Sequence, residues 1–216
     1  MNTPRTFTFG PHRSTVTFGT LQSVLKSMGA NALLVCDSNT ERFAATGESS
    51  RPVQDKVRRV VLDAGEENKG WEGIERIIGT AISSGLGRDA EFFGLGGGVV
   101  CDMAAFAASV YMRGCPVVLV PTTLLAMVDA SIGGKTGIDF AGYKNIIGSF
   151  YPAGRVHIAV ETLATLPERE YMSGLAEVIK HALLGVEDLF VLLEKEPERF
   201  LKREAGAVET GISRSL

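Results

Sequence analysis

Long apolar runs are missing from this chain: none approaches the roughly 20 residues needed to span a bilayer, so no membrane contact is expected. An excess of basic charge is missing too. With 22 Lys and Arg against 25 Asp and Glu, the formal net charge is −3. That excludes the broad cationic footprint of a nucleic-acid or anionic-membrane surface and leaves room only for a local basic cluster suited to a small anion. The three cysteines, Cys36, Cys101 and Cys115, lie in apolar surroundings without a C-x-x-C pair. They read as buried free thiols in a reducing cytosol, with a catalytic cysteine as the alternative. The opening stretch MNTPRTFTFG has no apolar h-region, so a secretory signal is not expected and the cytoplasm is the expected compartment. Aromatic residues are few, at 7%, whereas glycine is abundant, with 25 residues. That balance favours an α/β protein with tight strand–helix turns over a disordered or fibrous chain.

The segments that are present alternate in period. RTFTFG and STVTFG interleave polar and apolar residues and are expected to pair as a hairpin. ALLVCD is a continuous apolar run ending in an acid, as in a buried parallel strand, and VRRVVLDAG, AEFFGL and PVVLVP read as further strands. ERFAATGESSRPVQD is polar and punctuated, a short helix mixed with loop. WEGIERIIGTAISSGL places Trp71, Ile74, Ile77, Ile78 and Ile82 at helical spacing ahead of Gly85 and Gly87, and VVCDMAAFAASVYM follows a triple-glycine turn as another helix. Strands alternating with helices predict an α/β fold with a Rossmann-like doubly wound sheet. Beyond residue 160 the pattern is helical and no strand-like run returns. Residues 1–160 are therefore expected to form the α/β domain, and residues 161–216 the start of a helical C-terminal domain that stops without a helix-ending signal, as in a fragment.

Three segments carry residues with chemistry. FFGLGGGVVCD runs strand, glycines, helix. Its helix N-terminus offers free N–H groups to a pyrophosphate, although G-x-G-x-x-G is absent and a ligand-free turn is the alternative. Asp102 in that helix is placed for a dipole-favoured hydrogen bond or a cofactor contact, and Asp37 ends a strand where a carboxylate accepts ribose hydroxyls or simply forms a turn. In GLAEVIKH, Glu177, Lys180 and His181 fall on one helix face, either as a surface ion pair or, given the apolar flanks of Glu177, as a carboxylate held for a partner. One carboxylate does not make a zinc site, and His12, His157 and His181, the only histidines, read as structural. The third segment, VDASIGGKTGIDFAGYKN at 128–145, reads as a flexible charged loop behind an apolar strand.

Taken together and in order, GGGVVCD, MRG, PTTLLAMVDASIGGKTGI, KNIIGSF, TLPERE and GLAEVIKHALL resemble the 3-dehydroquinate synthase family of sugar-phosphate cyclases. The likeness covers nearly the whole chain but only the family's N-terminal part. DASIGGKTG followed by KN and GLAEVIK is specific, whereas GGGVVCD alone is shared with glycerol and iron-dependent alcohol dehydrogenases. The resemblance implies a lyase of the shikimate pathway that uses NAD⁺ and one divalent metal, usually zinc, with cobalt as the alternative. Its substrate, 3-deoxy-D-arabino-heptulosonate 7-phosphate, is converted to 3-dehydroquinate and phosphate, usually by a homodimer. Both ends of that substrate are anionic, which calls for lysine and arginine.

Carried over by position, the resemblance implies NAD contacts from Asp37, Asn39, Glu66, Lys69, Gly97, Gly98, Asp102, Thr122, Thr123, Lys144, Thr162, Leu163 and Thr165. Arg113, Asp129, Lys135, Asn145 and Lys180 match substrate positions, with Asp129, Lys135 and Lys180 expected to act in catalysis, and Glu177 matches a metal ligand. Cys101, Ala105, Ala164 and Tyr143 depart from the family's more frequent residues. No histidine follows His181, so the family's two metal-binding histidines are absent and the chain alone is expected to be inactive. A related cyclase acting on another sugar phosphate, and a non-catalytic NAD-binding module, are the alternative readings.

Overall fold

The computed structural model describes residues 4–45 and 58–216. Its elements are β1 (Arg5–Phe9), β2 (His12–Phe18), α1 (Leu21–Lys26), β3 (Ala32–Asp37), α2 (Glu41–Ala45), β4 (Arg58–Leu62), α3 (Trp71–Ser83), β5 (Glu91–Gly96), α4 (Gly98–Val110) and β6 (Val117–Pro121). There follow β7 (Lys135–Phe140), β8 (Tyr143–Phe150), β9 (Arg155–Ile158), α5 (Glu168–Leu183), α6 (Glu187–Lys195), α7 (Pro197–Leu201) and α8 (Ala205–Ser215). Of the segment read as helix plus loop at 41–55, Glu41–Ala45 is helical; the rest lies outside the described residues.

The main sheet has the order β1-β2-β9-β6-β5-β3-β4, antiparallel only between β1 and β2. Numbered by appearance, β4-β3-β5-β6-β9 reads 2-1-3-4-5, a doubly wound order whose switch point lies between β3 and β5. The continuous apolar runs follow from burial on both faces. Leu33, Val35, Phe92, Val117 and Leu119 join one cluster with α3 and α4, while Leu34, Cys36, Phe93, Leu95, Val118 and Val120 join a second with α1. Helices α5–α8 share the first cluster through Tyr171, Leu189, Phe200 and Ile212. Helix α4 lies close on β5 because Gly94 and Gly96 lack side chains: a Cβ at Gly96 would fall 2.6 Å from Val100 Cβ.

Two expectations need correction. The α3 stripe is narrower than its spacing suggests: Ile74, Ile77 and Ala81 are buried, but Trp71 is 42% and Ile82 64% exposed. Trp71 opens the helix and tilts against Phe106, and Ile82 lies beyond the sheet-facing arc. The segment read as a flexible loop is largely ordered as an antiparallel ribbon, β7 on β8, with Phe140 opposite Tyr143. Its two-residue turn, Ala141–Gly142, takes φ of 51° and 81°, the left-handed pair of a type I′ turn.

The three cysteines are buried and free. Burial pushes the thiol of Cys36 up to about 11 and that of Cys115 up to about 12, and Cys101 higher still, so none has the thiolate character of a nucleophile. His157 in β9 is structural: its Nδ1 lies 3.0 Å from Thr17 Oγ1 and its Nε2 3.1 Å from the Thr20 carbonyl. Burial holds its pKa below the usual histidine value, ahead of the opposing Thr20 hydrogen bond. The unfolded chain therefore takes the proton more readily, so this contribution to stability is present above about pH 6.5 and lost as pH falls. Urea unfolding is expected to show the chain weaker at pH 5 than at pH 7, with His157→Gln flattening part of that slope; an unchanged slope would contradict it.

Candidate functional site

The residues singled out by resemblance, apart from those on β7, β8, α5 and the segment after α4, cluster at the carboxyl ends of the parallel strands, where ligands of doubly wound sheets bind. Asp37 ends β3, and its Oδ1 accepts from the N–H groups of Asn39 and Thr40, at 3.0 and 2.9 Å, and from Thr40 Oγ1 at 2.7 Å. This turn rigidly orients the carboxylate and leaves its second oxygen outside these bonds. After β4, Glu66 and Lys69 sit on and beside a 3-10 turn, Glu66–Asn68. After β5, Gly97 is the N-cap of α4 and makes no side-chain cap bond. A Cβ at Gly97 would come within 3.2 Å of Thr123 Cγ2, a tight approach, and one at Gly98 within 3.4 Å of Ala130 Cβ, so the missing side chains leave the free N–H groups of this helix end open to a ligand.

Thr122 follows β6, is buried, and donates its N–H to the Gly96 carbonyl at 2.9 Å; Thr123 Oγ1 accepts from the Ala126 N–H. A π-helical turn, Ala126–Ala130, then carries Asp129. Thr162, Leu163 and Thr165 lie on the 3-10 turn Val160–Thr165 that follows β9. The side chains of Thr162 and Leu163 are buried, and Thr162 Oγ1 donates to the Ala159 carbonyl. Any ligand contact there falls to their backbone.

Lys69 joins three of these elements. Its ammonium is buried and donates at 2.5 Å to Asp102 Oδ2 on α4 and at 2.5 Å to Asn145 Oδ1 on β8. Its carbonyl accepts the Asp139 N–H, and Asp139 Oδ1 accepts the Asn145 N–H at 2.7 Å. Asn145 adopts φ 53°, a left-handed backbone that asparagine tolerates better than most residues. Lys144 adds an ion pair to Glu66 at 3.2 Å. The ribbon is thus tied to the turn after β4 by three contacts, through Asp139, Lys144 and Asn145. Burial raises the pKa of Asp102; the Lys69 hydrogen bond and charge oppose this, and Glu66 and Asp129 add to it.

Between α4, the π turn and the ribbon lies a cleft of about 640 Å³, lined among others by Asp102, Asp129, Lys135, Asn145 and Phe150. Glu177 and Lys180, on α5, are not among the residues lining it: Lys180 Nζ donates to Glu177 Oε1 at 2.6 Å, and His181 Nε2 lies 3.3 Å from the same oxygen. The Glu177 hydrogen bond and charge hold the Lys180 ammonium above the usual lysine range, and Asp129 adds to this from the cleft. Arg113 is not among the residues lining the cleft; it follows α4 with φ 68°, ahead of β6. Sequence reasoning missed Asp139, whose signal is its place just before the turn, and Arg42 on α2, which reaches Thr165 Oγ1 at 2.9 Å.

Fold and site define a doubly wound α/β protein with a polar cleft at the carboxyl edge of its sheet. Among solved structures the chain resembles the 2-epi-5-epi-valiolone synthase of Streptomyces hygroscopicus, crystallised with NAD⁺ and Zn²⁺, at TM-score 0.83 and 31% identity over 98% of this chain and 61% of that one. It also resembles a 2-deoxy-scyllo-inosose synthase complexed with carbaglucose-6-phosphate, NAD⁺ and Co²⁺, at TM-score 0.71 and 25% identity over 84% of this chain and 51% of that one. Residues 59–173 match the family described as 3-dehydroquinate synthase N-terminal. The 3-dehydroquinate synthase of Acidithiobacillus ferrooxidans is 49% identical over 184 residues, 84% of this chain and 50% of that protein. The chain belongs to the 3-dehydroquinate synthase family, and it spans about half the length of the curated relatives it matches.

Proposed function

We propose that this chain provides the nucleotide-binding part of a 3-dehydroquinate synthase that converts 3-deoxy-D-arabino-heptulosonate 7-phosphate to 3-dehydroquinate and phosphate. Residues 1–160 form the NAD-binding domain and residues 161–216 the beginning of a helical metal and substrate domain; the enzyme works as a cytoplasmic homodimer in the shikimate pathway. The observation that carries the reading is the single cleft shared by Asp102, Asp129, Lys135 and Asn145. A related cyclase with another sugar phosphate is supported by the valiolone synthase likeness, but identity to 3-dehydroquinate synthases is higher.

The residues present fit NAD⁺: the uncapped α4 N-terminus and its two glycines suit the pyrophosphate, and the outer oxygen of Asp37 suits a ribose diol. Bound NAD⁺ supplies a hydride acceptor that is restored within each turnover. Lys135, exposed at the start of β7, binds an anionic end of the substrate, and Asn145, held by Lys69, orients a hydroxyl. Arg113 and Lys180 are assigned further substrate contacts by position. Two structural relatives carry zinc or cobalt, but the residues present do not fit a metal by themselves. The Glu177 carboxylate is engaged by Lys180 and His181, and among the described residues no three His, Cys, Asp or Glu side chains converge.

The test is phosphate release in an enzyme of the relatives' full length that includes this segment. Lys135→Ala is expected to lower kcat/KM by roughly ten- to a hundredfold, the loss of one charge-assisted contact, with NAD⁺ affinity nearly unchanged. Unchanged turnover would return the ribbon to a purely structural role. The 216-residue chain alone is expected to bind NAD⁺ in calorimetry and to release no phosphate.

A further inference from the structure

Resting on the nucleotide reading above, we infer that Arg42 is a cofactor-binding residue that covers the adenine ring. It belongs to α2, just after β3, yet its Nη2 donates to Thr165 Oγ1 on the turn after β9, 2.9 Å away. β3 and β9 are separated by β5 and β6 in the sheet, three strand spacings or roughly 14 Å. The side chain therefore reaches across the carboxyl edge of the two strands between them, above the switch-point side of the sheet.

Three further observations fix what it would meet there. The pyrophosphate belongs at the α4 N-terminus and the ribose at Asp37, so the base lies close to α2, which follows β3 directly and which Arg42 links to the turn after β9. The neighbouring Glu41 is paired with Arg59 at 3.1 Å, and among the described residues Arg42 has no carboxylate partner, which leaves its charge available. Its guanidinium carbon stands 5.1 Å from the centroid of the Phe43 ring, so the planar group already lies over an aromatic face. A guanidinium plane stacks on a purine while its edge keeps donating hydrogen bonds, a pairing that a lysine ammonium cannot reproduce.

The experiment compares ADP-ribose with nicotinamide mononucleotide as ligands of the 216-residue chain, by calorimetry or ligand-observed NMR. Arg42→Ala is expected to weaken ADP-ribose roughly three- to tenfold and leave nicotinamide mononucleotide unchanged, with Arg42→Lys behaving like Arg42→Ala. Unchanged ADP-ribose binding by Arg42→Ala, equal loss of both ligands, or full recovery by Arg42→Lys would each overturn the assignment. If the unsubstituted chain binds neither ligand, the nucleotide reading itself falls and Arg42 with it. Binding of ADP-ribose that ignores Arg42 sinks the assignment alone.

Discussion

Replacing Lys69 by methionine is expected to cost the folded chain about 3 kcal/mol near neutral pH, the low end for removing one partner of a buried ion pair. The low end applies because the side chain of Lys69 is 4% exposed but that of Asp102 is 18%. Methionine fills similar space, so the loss is electrostatic. Asp102 keeps its burial without its cation, and Asn145 Oδ1 loses its donor. Burial already raises the Asp102 pKa, with Lys69 opposing; without Lys69 the rise is larger. A carboxyl whose folded pKa exceeds its unfolded one binds more protons when folded, so the penalty in the variant shrinks as pH falls through that folded pKa. Urea unfolding at pH 8 and pH 5 checks this: the gap to the unsubstituted chain should narrow at the lower pH. Adding Asp102→Asn should recover much of the loss. A loss that is independent of pH and untouched by the second substitution would mean that Lys69 acts through packing.

Gly174→Ala is expected to lose about 2 kcal/mol, although alanine favours helix over glycine by about 1 kcal/mol. Gly174 is buried in α5 against the chain just ahead of the π turn. A Cβ there would lie 2.5 Å from the Leu125 nitrogen and 2.6 Å from Leu124 Cβ. Backbone cannot rotate aside as a flexible side chain does, so α5 must move off, at an overpacking cost of about 3 kcal/mol. Lys180 lies on the helix that would move, and Asp129 on the turn it would part from. Gly79→Ala on α3, where nothing lies within 4 Å of the new Cβ, is the control and should gain about 0.5–1 kcal/mol. Thermal unfolding that shifts both variants in the same direction would refute the steric account.

The sheet was legible because β3, β5 and β6 are apolar on both faces, which only a covered parallel sheet requires. The ribbon was not. A type I′ turn is signalled by Asn-Gly or Asp-Gly, and Ala141 gives no such signal although it adopts the same left-handed backbone. With the turn unread, the polar and glycine-rich strands on either side passed for loop. In the candidate site, the positions of Asp37, Gly97 and Gly98 followed from where strands end, whereas Thr122 came only from the family resemblance. The burial of Lys69 had no local sign, because its partners are 33 and 76 residues away. The reach of Arg42 to Thr165 was hidden for the same reason, with 123 residues between them.

The pairing of β2 with β9, from Thr15 opposite Arg155 to Phe18 opposite Ile158, sets an order of events during synthesis. The first hairpin emerges from the ribosome some 140 residues before the strand that covers its inner edge. At ordinary elongation rates that is a wait of roughly 7–28 s. Throughout it, β2 exposes unpaired backbone groups to any neighbouring nascent chain. The strands β3 to β6 can assemble first, and the N-terminal hairpin, although made earliest, docks last. An early pause in translation would therefore prolong the most vulnerable state, whereas a pause after residue 158 would give β9 time to close it.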